Sequence, residues 1–388
     1  MMFQFYAQGW FILGMTGSAA LLGLLGVSRG TGMLIFSLFG GALADRMDRR
    51  TLLITTQSCA LCIYGLLSAL VITDHINLWV AFLLIFISAS VESVDGPARQ
   101  ALIPHLVPRE HLPNAVALFI TAQISSYAFL PPLAGVAIAW IGVGGAFALS
   151  LTGHAVVIVA LLVLKTRAKP TGVRGNVIRE IGRGISYASK SPSVMWLITF
   201  GFLVGALGFP IISTLAPYWM DHELGLGPIG WTTMGWIWGL GTLVSTVTLS
   251  TGDRSRHLGK VVIGAGTGFA LTLIVFGLTR SLPLAAAAWC LNGTCYTANM
   301  IASTSLVQLL VKDEYLGRVM SLRMVSSAVN QAAAAPLGAI ADGVGIGTMV
   351  PSVAALLALS IAIPAATVPA VRRLGQGIAR HPETGEVV

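Results

Sequence analysis

The sequence predicts an all-α membrane protein built from two six-helix bundles related by a pseudo-twofold axis. Three observations carry that reading. The composition is far from that of a soluble domain: of 388 residues, 55% are hydrophobic and 10% charged, with a mean hydropathy of +0.82, where soluble domains carry about 25% charged residues. The apolar residues gather into twelve runs, six on each side of a polar stretch. The two halves also echo each other at an offset of 204 residues. The composition excludes a disordered chain as well, and the 44 Gly and 17 Pro follow no collagen period.

A spanning helix needs about 20 predominantly apolar residues. The runs fall at 2–14, 18–42, 51–72, 78–94, 115–141 and 146–164, then at 194–220, 229–249, 261–278, 284–310, 319–341 and 349–371. They divide the chain into an N-terminal bundle (1–164), a central loop (165–193), a C-terminal bundle (194–372) and a tail (373–388). Residues 180–188 of the loop are expected to form a surface helix. The first run is the anomaly, because its 13 residues reach about 20 Å at 1.5 Å per residue, short of a hydrocarbon core of about 30 Å. The first helix is therefore expected to be truncated, either by a start codon placed further upstream or as an incomplete span. No cleavable signal peptide is expected, since the first basic residue is Arg29 and a charged leader region is missing.

The net charge of +8 is an orientation signal rather than a sign of nucleic acid. Of the 23 basic residues, 21 fall in alternate loops, the central stretch and the tail. Cytoplasmic loops carry the Lys and Arg excess, so the central loop and the C-terminus are expected in the cytoplasm. Arg280 lies in an outer loop, and Arg29 lies inside a span. The outer loops also hold Asp74, Asp221, Glu223 and Asp342.

The internal echo aligns 98–118 with 302–322, with seven identities: Ala98/Ala302, Leu102/Leu306, Leu106/Leu310, Val107/Val311, Glu110/Glu314, Leu112/Leu316 and Leu118/Leu322. Asp45-Arg46 and Asp253-Arg254 form a second echo. Parallel repeats of this kind place a cavity between the halves near the midplane, where a substrate is exposed alternately to each side. A transporter is the default reading.

Ionisable groups inside spans are costly and point to function. Ser88, Glu92, Asp95 and Arg99 share one face of the fourth span. Arg29 lies about one helical turn from Glu92 in depth, and a buried Arg needs a partner, so it is expected to pair with Glu92 or a backbone carbonyl. A fixed structural pair with no role in transport is the equal alternative. The tenth span carries Asn292, Tyr296 and Asn299 on one face, and the eleventh offers Arg323, Ser327, Asn330 and Gln331. As a set these are candidate ligand contacts, while interhelical hydrogen bonding accounts for any one of them. Trp231 and Trp238 share a face that could line an aromatic wall, with interface anchoring or packing at least an equal reading, and His154 reads as a packed polar residue rather than a proton relay.

Several motifs carry no chemistry. Cys59 and Cys62 have C-x-x-C spacing but no His or acidic partner in their run, and read as small packing residues. The G-x-S-x-G match at 26–30 lies within one helix, where a nucleophile elbow needs a strand before it. The chain contains no phosphate-binding loop and no H-E-x-x-H. No catalytic residue, metal or cofactor is expected.

After the second span the chain reads Gly41-Ala42-Leu43-Ala44-Asp45-Arg46-Met47-Asp48-Arg49-Arg50. This resembles the signature loop of the major facilitator superfamily, G-x-L-A-D-R-x-G-R-R, with Asp48 where the second Gly is usual. The stretch from Asp95 to Pro104, followed by Leu112-Pro113-Asn114-Ala115, is similar to the exporter branch of siderophore and macrolide efflux proteins. The resemblance implies a cytoplasmic latch made by Gly41, Asp45, Arg46, Arg49, Arg50 and Arg99, in which Asp45 caps the eleventh helix. Leu130-Pro131-Pro132-Leu133-Ala134-Gly135 resembles the bend of antiporters, with Pro131 and Ala134 in place of glycines, which leaves Pro132 and Gly135 to make the bend.

The expectation is a monomeric secondary transporter in the plasma (inner) membrane that exports a small amphiphilic molecule by alternating access, with protons as the candidate counter-ion and Glu92 as their carrier. An uptake permease or facilitator is one alternative, and a non-transporting sensor or inactive truncated copy is the other.

Overall fold

The computed structural model describes residues 2–44, 47–164, 185–189, 191–250, 258–311, 315–316, 319–320, 322 and 330–372. Every long regular element among them is helical. The chain begins with α1 (Met2–Thr16), α2 (Ala19–Ala44), α3 (Arg49–Ile72), α4 (Leu78–Leu102) and the 52-residue α5 (Leu112–Val163). It continues with α6 (Pro192–Leu203), α7 (Ala216–Leu224), α8 (Pro228–Ser250), α9 (Leu258–Leu278), α10 (Leu282–Leu310), α11 (Ala334–Val344), α12 (Ile346–Thr367) and the short α13 (Pro369–Arg372).

The breaks between elements have local causes. Asp48 caps α3 by accepting from the Thr51 amide at 3.3 Å, and Asn77 caps α4 by accepting from Val80 at 2.9 Å. The fifth and sixth apolar runs form the two arms of α5, which turn at Gly142, where φ is +71°. Only glycine enters that region without a steric penalty. The Pro131–Pro132 pair does not interrupt the helical backbone of α5. The seventh run is α6 and α7 joined through π-helical turns at Val204–Gly208 and Ile211–Leu215. Pro210 and Pro217 each withdraw an amide donor there, and the wider turns accommodate the carbonyls left without α-helical partners.

Among the described residues, seven helical stretches are long and apolar enough to cross a membrane. Their outer surfaces fit lipid rather than water: Val163 is 73% exposed and Trp79 is 70% exposed. Cys59 and Cys62 also lie on the exposed face of α3 as free thiols, which corrects the reading of them as packing residues. α1, with 15 residues, spans about 22 Å at 1.5 Å per residue. The surface helix expected at 180–188 is helical over its described part, 185–188, where Tyr187 stacks on Tyr315 with ring centroids 4.4 Å apart.

The chain divides into two compact units, Met1–Gly175 with Ala216–Trp236, and Asn176–Leu215 with Ile237–Val388. In the first unit the core is formed where α1 to α5 meet, around Phe11, Leu22, Tyr64, Ile85 and Phe147. Gly32 on α2 lies so close to α4 that a Cβ there would meet the Phe86 carbonyl at 2.7 Å. In the second unit α8 and α10 approach still more closely. A Cβ on Gly241 would collide with the Cys290 carbonyl, and one on Gly293 with the Trp238 carbonyl. Thr294 uses the short separation to donate to the Gly241 carbonyl at 3.0 Å. Such small-residue contacts let dispersion hold helices together where lipid offers no hydrophobic drive. Gly241→Val and Gly293→Val should each destabilise the folded protein by about 1–3 kcal/mol or more, read as a lower unfolding temperature in detergent, whereas Gly264→Val, at a position with open space around it, should not.

Candidate functional site

The polar side chains of the first unit are not scattered. They form two connected chains inside the bundle, one from α2 to α4 and the other from α1 to α4.

The first chain begins at Arg29, 8% exposed in the middle of α2. Its Nε donates to Gln8 Oε1 at 2.9 Å, Nη2 also reaches Gln8 Oε1, and Nη2 donates to the Phe5 carbonyl at 3.3 Å. The guanidinium lies 4.5 Å from the centroid of the Phe5 ring. Gln8 then donates through Nε2 to the Tyr64 hydroxyl at 3.1 Å, and that hydroxyl donates to Glu92 Oε1 at 3.1 Å. Of the two partners expected for Arg29, the structure therefore supplies a backbone carbonyl, and it stands two hydrogen-bonded residues from Glu92. The step in between is Gln8, which looks like an ordinary polar residue in an apolar run.

The second chain is centred on Asp95, 1% exposed on α4. Its Oδ1 accepts from Thr56 Oγ1 at 3.1 Å and from Gln57 Nε2 at 2.8 Å, and its Oδ2 accepts from Arg99 Nη2 at 2.5 Å. The i, i+4 spacing on one face, visible in the sequence, thus becomes an ion pair. Gln57 Oε1 lies 2.7 Å from His154 Nδ1, and His154 Nε2 lies 2.7 Å from Gln4 Nε2. The two chains touch where the His154 ring stacks on Tyr64, centroids 5.6 Å apart with 14° between the planes. Gln4, Gln57, Glu92, Asp95, Arg99 and His154 all line one cavity of about 980 Å³ in this unit. That volume matches the upper range of small-molecule sites.

Several candidates lie elsewhere. Arg50 donates to the carbonyls of Leu161 and Leu162 at 2.6 and 2.8 Å, where a cation satisfies the open C-terminal end of α5. Gly41 is in the last turn of α2, Arg49 opens α3, and Asp45 and Arg46 lie outside the described residues. So do Asp253, Arg254, Arg323 and Ser327. Pro132 lies within α5, and Gly135 abuts Thr232 on α8 so closely that a Cβ would collide with it.

In the second unit, Asn292 is fully buried and saturated. It donates to Thr272 Oγ1 at 3.0 Å and to the Phe269 carbonyl at 3.3 Å, and accepts from Trp238 Nε1 at 3.2 Å. Asn299 donates to the Val262 carbonyl at 3.0 Å. Both bind α10 to α9. Tyr296 stands among Phe209, Trp238 and Phe269, with centroids 5.6–5.8 Å away. Asn330 packs against Gly205, and its Oδ1 has no hydrogen-bond partner among the described residues. Gln331 is half-buried. Trp231 is buried beside Tyr6 in the first unit, with centroids 5.0 Å apart, as its packing alternative expects.

The sequence profile of the Major Facilitator Superfamily matches residues 1–335. The chain belongs to the Major Facilitator Superfamily. Within it, the chain is similar to the enterobactin exporter EntS of Shigella boydii serotype 4, at 25% identity over 359 residues covering 89% of this chain and 85% of that protein. It is similar also to macrolide efflux protein A of Streptococcus pyogenes, at 22% identity over 315 residues covering 79% and 77%. Among solved structures, the nucleoside transporter NupG superposes with a TM-score of 0.72 at 12% identity, covering 94% of this chain and 96% of NupG. A bacterial homologue of the iron transporter ferroportin, in an inward-facing state, gives 0.69 at 14%, covering 93% and 96%. These superfamily proteins move small molecules through a membrane. The chain is therefore a multi-pass membrane transporter with exporters among its relatives, and not an enzyme.

Asp95 is the acceptor for three donors; removing it leaves the buried Gln57 amide unpaired, whereas Thr56 keeps the Leu53 carbonyl and Arg99 is partly exposed. Asp95→Leu should destabilise the protein by about 1–3 kcal/mol for that stranded donor, while Asp95→Asn, which keeps one acceptor oxygen, should lose less. Thermal unfolding of the purified protein checks the order, and an Asp95→Leu variant as stable as the parent would contradict it.

Proposed function

We propose that this chain is a secondary active exporter that carries small amphiphilic molecules outward across the inner membrane and takes up protons in exchange. The two bundles, 1–164 and 194–372, alternate access, with the central loop and the C-terminus in the cytoplasm and the monomer as the working unit. The observation that carries the reading is Glu92: a carboxylate on a spanning helix, on the wall of a large cavity, held by the hydroxyl of Tyr64. A carboxylate at membrane depth is expensive when charged, so gain or loss of one proton changes how readily the cavity closes. Relatives named as exporters support the outward direction.

In this reading Arg29 sets the charge balance around Glu92 through Gln8 and Tyr64. Tyr296, Asn330 and Gln331 supply contacts from the second bundle, with Asn292 and Asn299 holding the helix that presents Tyr296. Asp45, with Gly41, Arg46, Arg49, Arg50 and Arg99, forms the cytoplasmic latch, and Pro132 and Gly135 form the pivot of α5. An anion at a helix N-terminus contributes about 0.3–1 kcal/mol, enough to bias two states without locking either.

Inside-out vesicles with the reconstituted protein test this, with enterobactin and a macrolide as first probes because relatives are named for them. Accumulation should depend on the pH gradient. Glu92→Gln should lower it about tenfold, equivalent to about 1.4 kcal/mol, and make the remainder indifferent to the gradient. Arg29→Ala should lower it as well, and Asp45→Asn should lower it at normal expression. Gradient-independent flux would mark a facilitator, flux only in the opposite sense an uptake permease, and binding without flux a sensor.

A further inference from the structure

His154 has no role in the function proposed above, yet its hydrogen bonds have a fixed direction. The direction is set at Asp95. That carboxylate accepts from Thr56 and Arg99, and a carboxylate can only accept, so Gln57 must turn its NH2 towards Asp95, as it does at 2.8 Å. Gln57 then has only its carbonyl oxygen for His154, and the imidazole must donate to it from Nδ1, 2.7 Å away. The proton of the neutral ring is thereby committed to Nδ1. Nε2 is left as the one basic position, and it faces the amide of Gln4 at 2.7 Å.

Gln4 is a partner with two faces. Its NH2 serves the bare Nε2, while its Oε1 is buried with no hydrogen-bond partner among the described residues, on a side chain only 4% exposed. An unpaired buried oxygen costs about 1–3 kcal/mol. Turning the amide by half a revolution would present that oxygen to Nε2, which requires a proton on Nε2. We propose that His154 and Gln4 form a two-state proton site: neutral His154 with the amide NH2 inward, and doubly protonated His154 with the amide oxygen inward.

The surroundings suit such a site. Arg29, Glu92, Asp95 and Arg99 contribute two positive and two negative charges, so the cluster is formally neutral until His154 takes a proton. Among the described residues, the charged groups facing the ring are Asp95 and Arg99 on α4 through Gln57, and Glu92 on α4 behind the stacked Tyr64 of α3. His154, Gln4 and Gln57 all line the 980 Å³ cavity, which is the route by which a proton arrives. The use of this site in coupling rests on the proton-linked export proposed above. The site itself does not.

Nitrogen NMR of the full-length protein with 15N-labelled histidine, in detergent and without any transported molecule, tests the proposal. The signal lost in His154→Gln identifies the residue. At neutral pH it should show the tautomer protonated at Nδ1, and on acidification the second proton should appear at Nε2. Gln4→Glu, which offers only acceptor oxygens when ionised, should extend the doubly protonated form at least tenfold further down the proton-concentration scale. A neutral ring protonated at Nε2, no second proton down to the acid limit of the folded protein, or a Gln4→Glu titration unchanged from the parent would each overturn it. Should His154→Gln not fold, Gln4→Glu gives the same assignment by its shifted signal. Export that stays pH-dependent in Glu92→Gln would refute the coupling role of Glu92 and leave the His154 result standing.

Discussion

A carboxylate buried to 1% in an apolar bundle survives only when every lone pair facing the interior meets a donor, because the hydrocarbon around it supplies none. Asp95 meets that condition with one cation and two neutral donors from α3 and α4. The rest of the first unit follows from it. Gln57, turned to serve Asp95, fixes the ring of His154 on the second arm of α5, and His154 in turn engages Gln4 on α1. Four segments that share little sequence character are thus held in register by the acceptor-only chemistry of one side chain. Dispersion alone would hold them together without specifying which turn faces which.

The second unit solves the same problem without charge. Asn292 has a donor and an acceptor in one amide and uses both, tying α10 to α9 through Thr272 and Phe269 and to Trp238 on α8. Gly241 and Gly293 complete the junction by removing the side chains that would keep α8 and α10 apart. An amide saturated in this way has little capacity left for a ligand, which separates Asn292 from Tyr296, whose ring sits among aromatic neighbours on the same helix face.

How much of this was legible depends on the range of the interaction. The apolar runs follow from bilayer thickness, a constraint on consecutive residues, and so they appear directly in the sequence. Arg29 was legible for the same reason, as a cation where none belongs, and so was the Asp95–Arg99 face, because i, i+4 is a local relation. Of the two partners expected for Arg29, Glu92 or a backbone carbonyl, the carbonyl is the one it meets, at Phe5, while Gln8, 21 residues away, carried no signal in the sequence. His154 reads as a packed polar residue and is one, at 8% exposure, but a lone histidine in an apolar run carries no local signal of its partners. Its partners are 97 and 150 residues away.

The distribution of charge then bears on what the cavity can do. Asp95 is neutralised by Arg99 on its own helix, and Arg29 is turned away from the cavity towards Gln8 and the Phe5 carbonyl. Glu92 therefore meets the cavity with its charge least compensated locally, since its direct bond is to a neutral hydroxyl. In the proposed export, a proton and a cationic group on the ligand would compete for that oxygen. Competition at one atom is the minimal physical basis for exchange, because occupancy by one partner lowers affinity for the other without any contact between them. The same space is lined by aromatic and aliphatic side chains, Phe119 and Leu133 among them, and in the proposed export these would meet the apolar part of an amphiphile, which a small hydrophilic ion lacks.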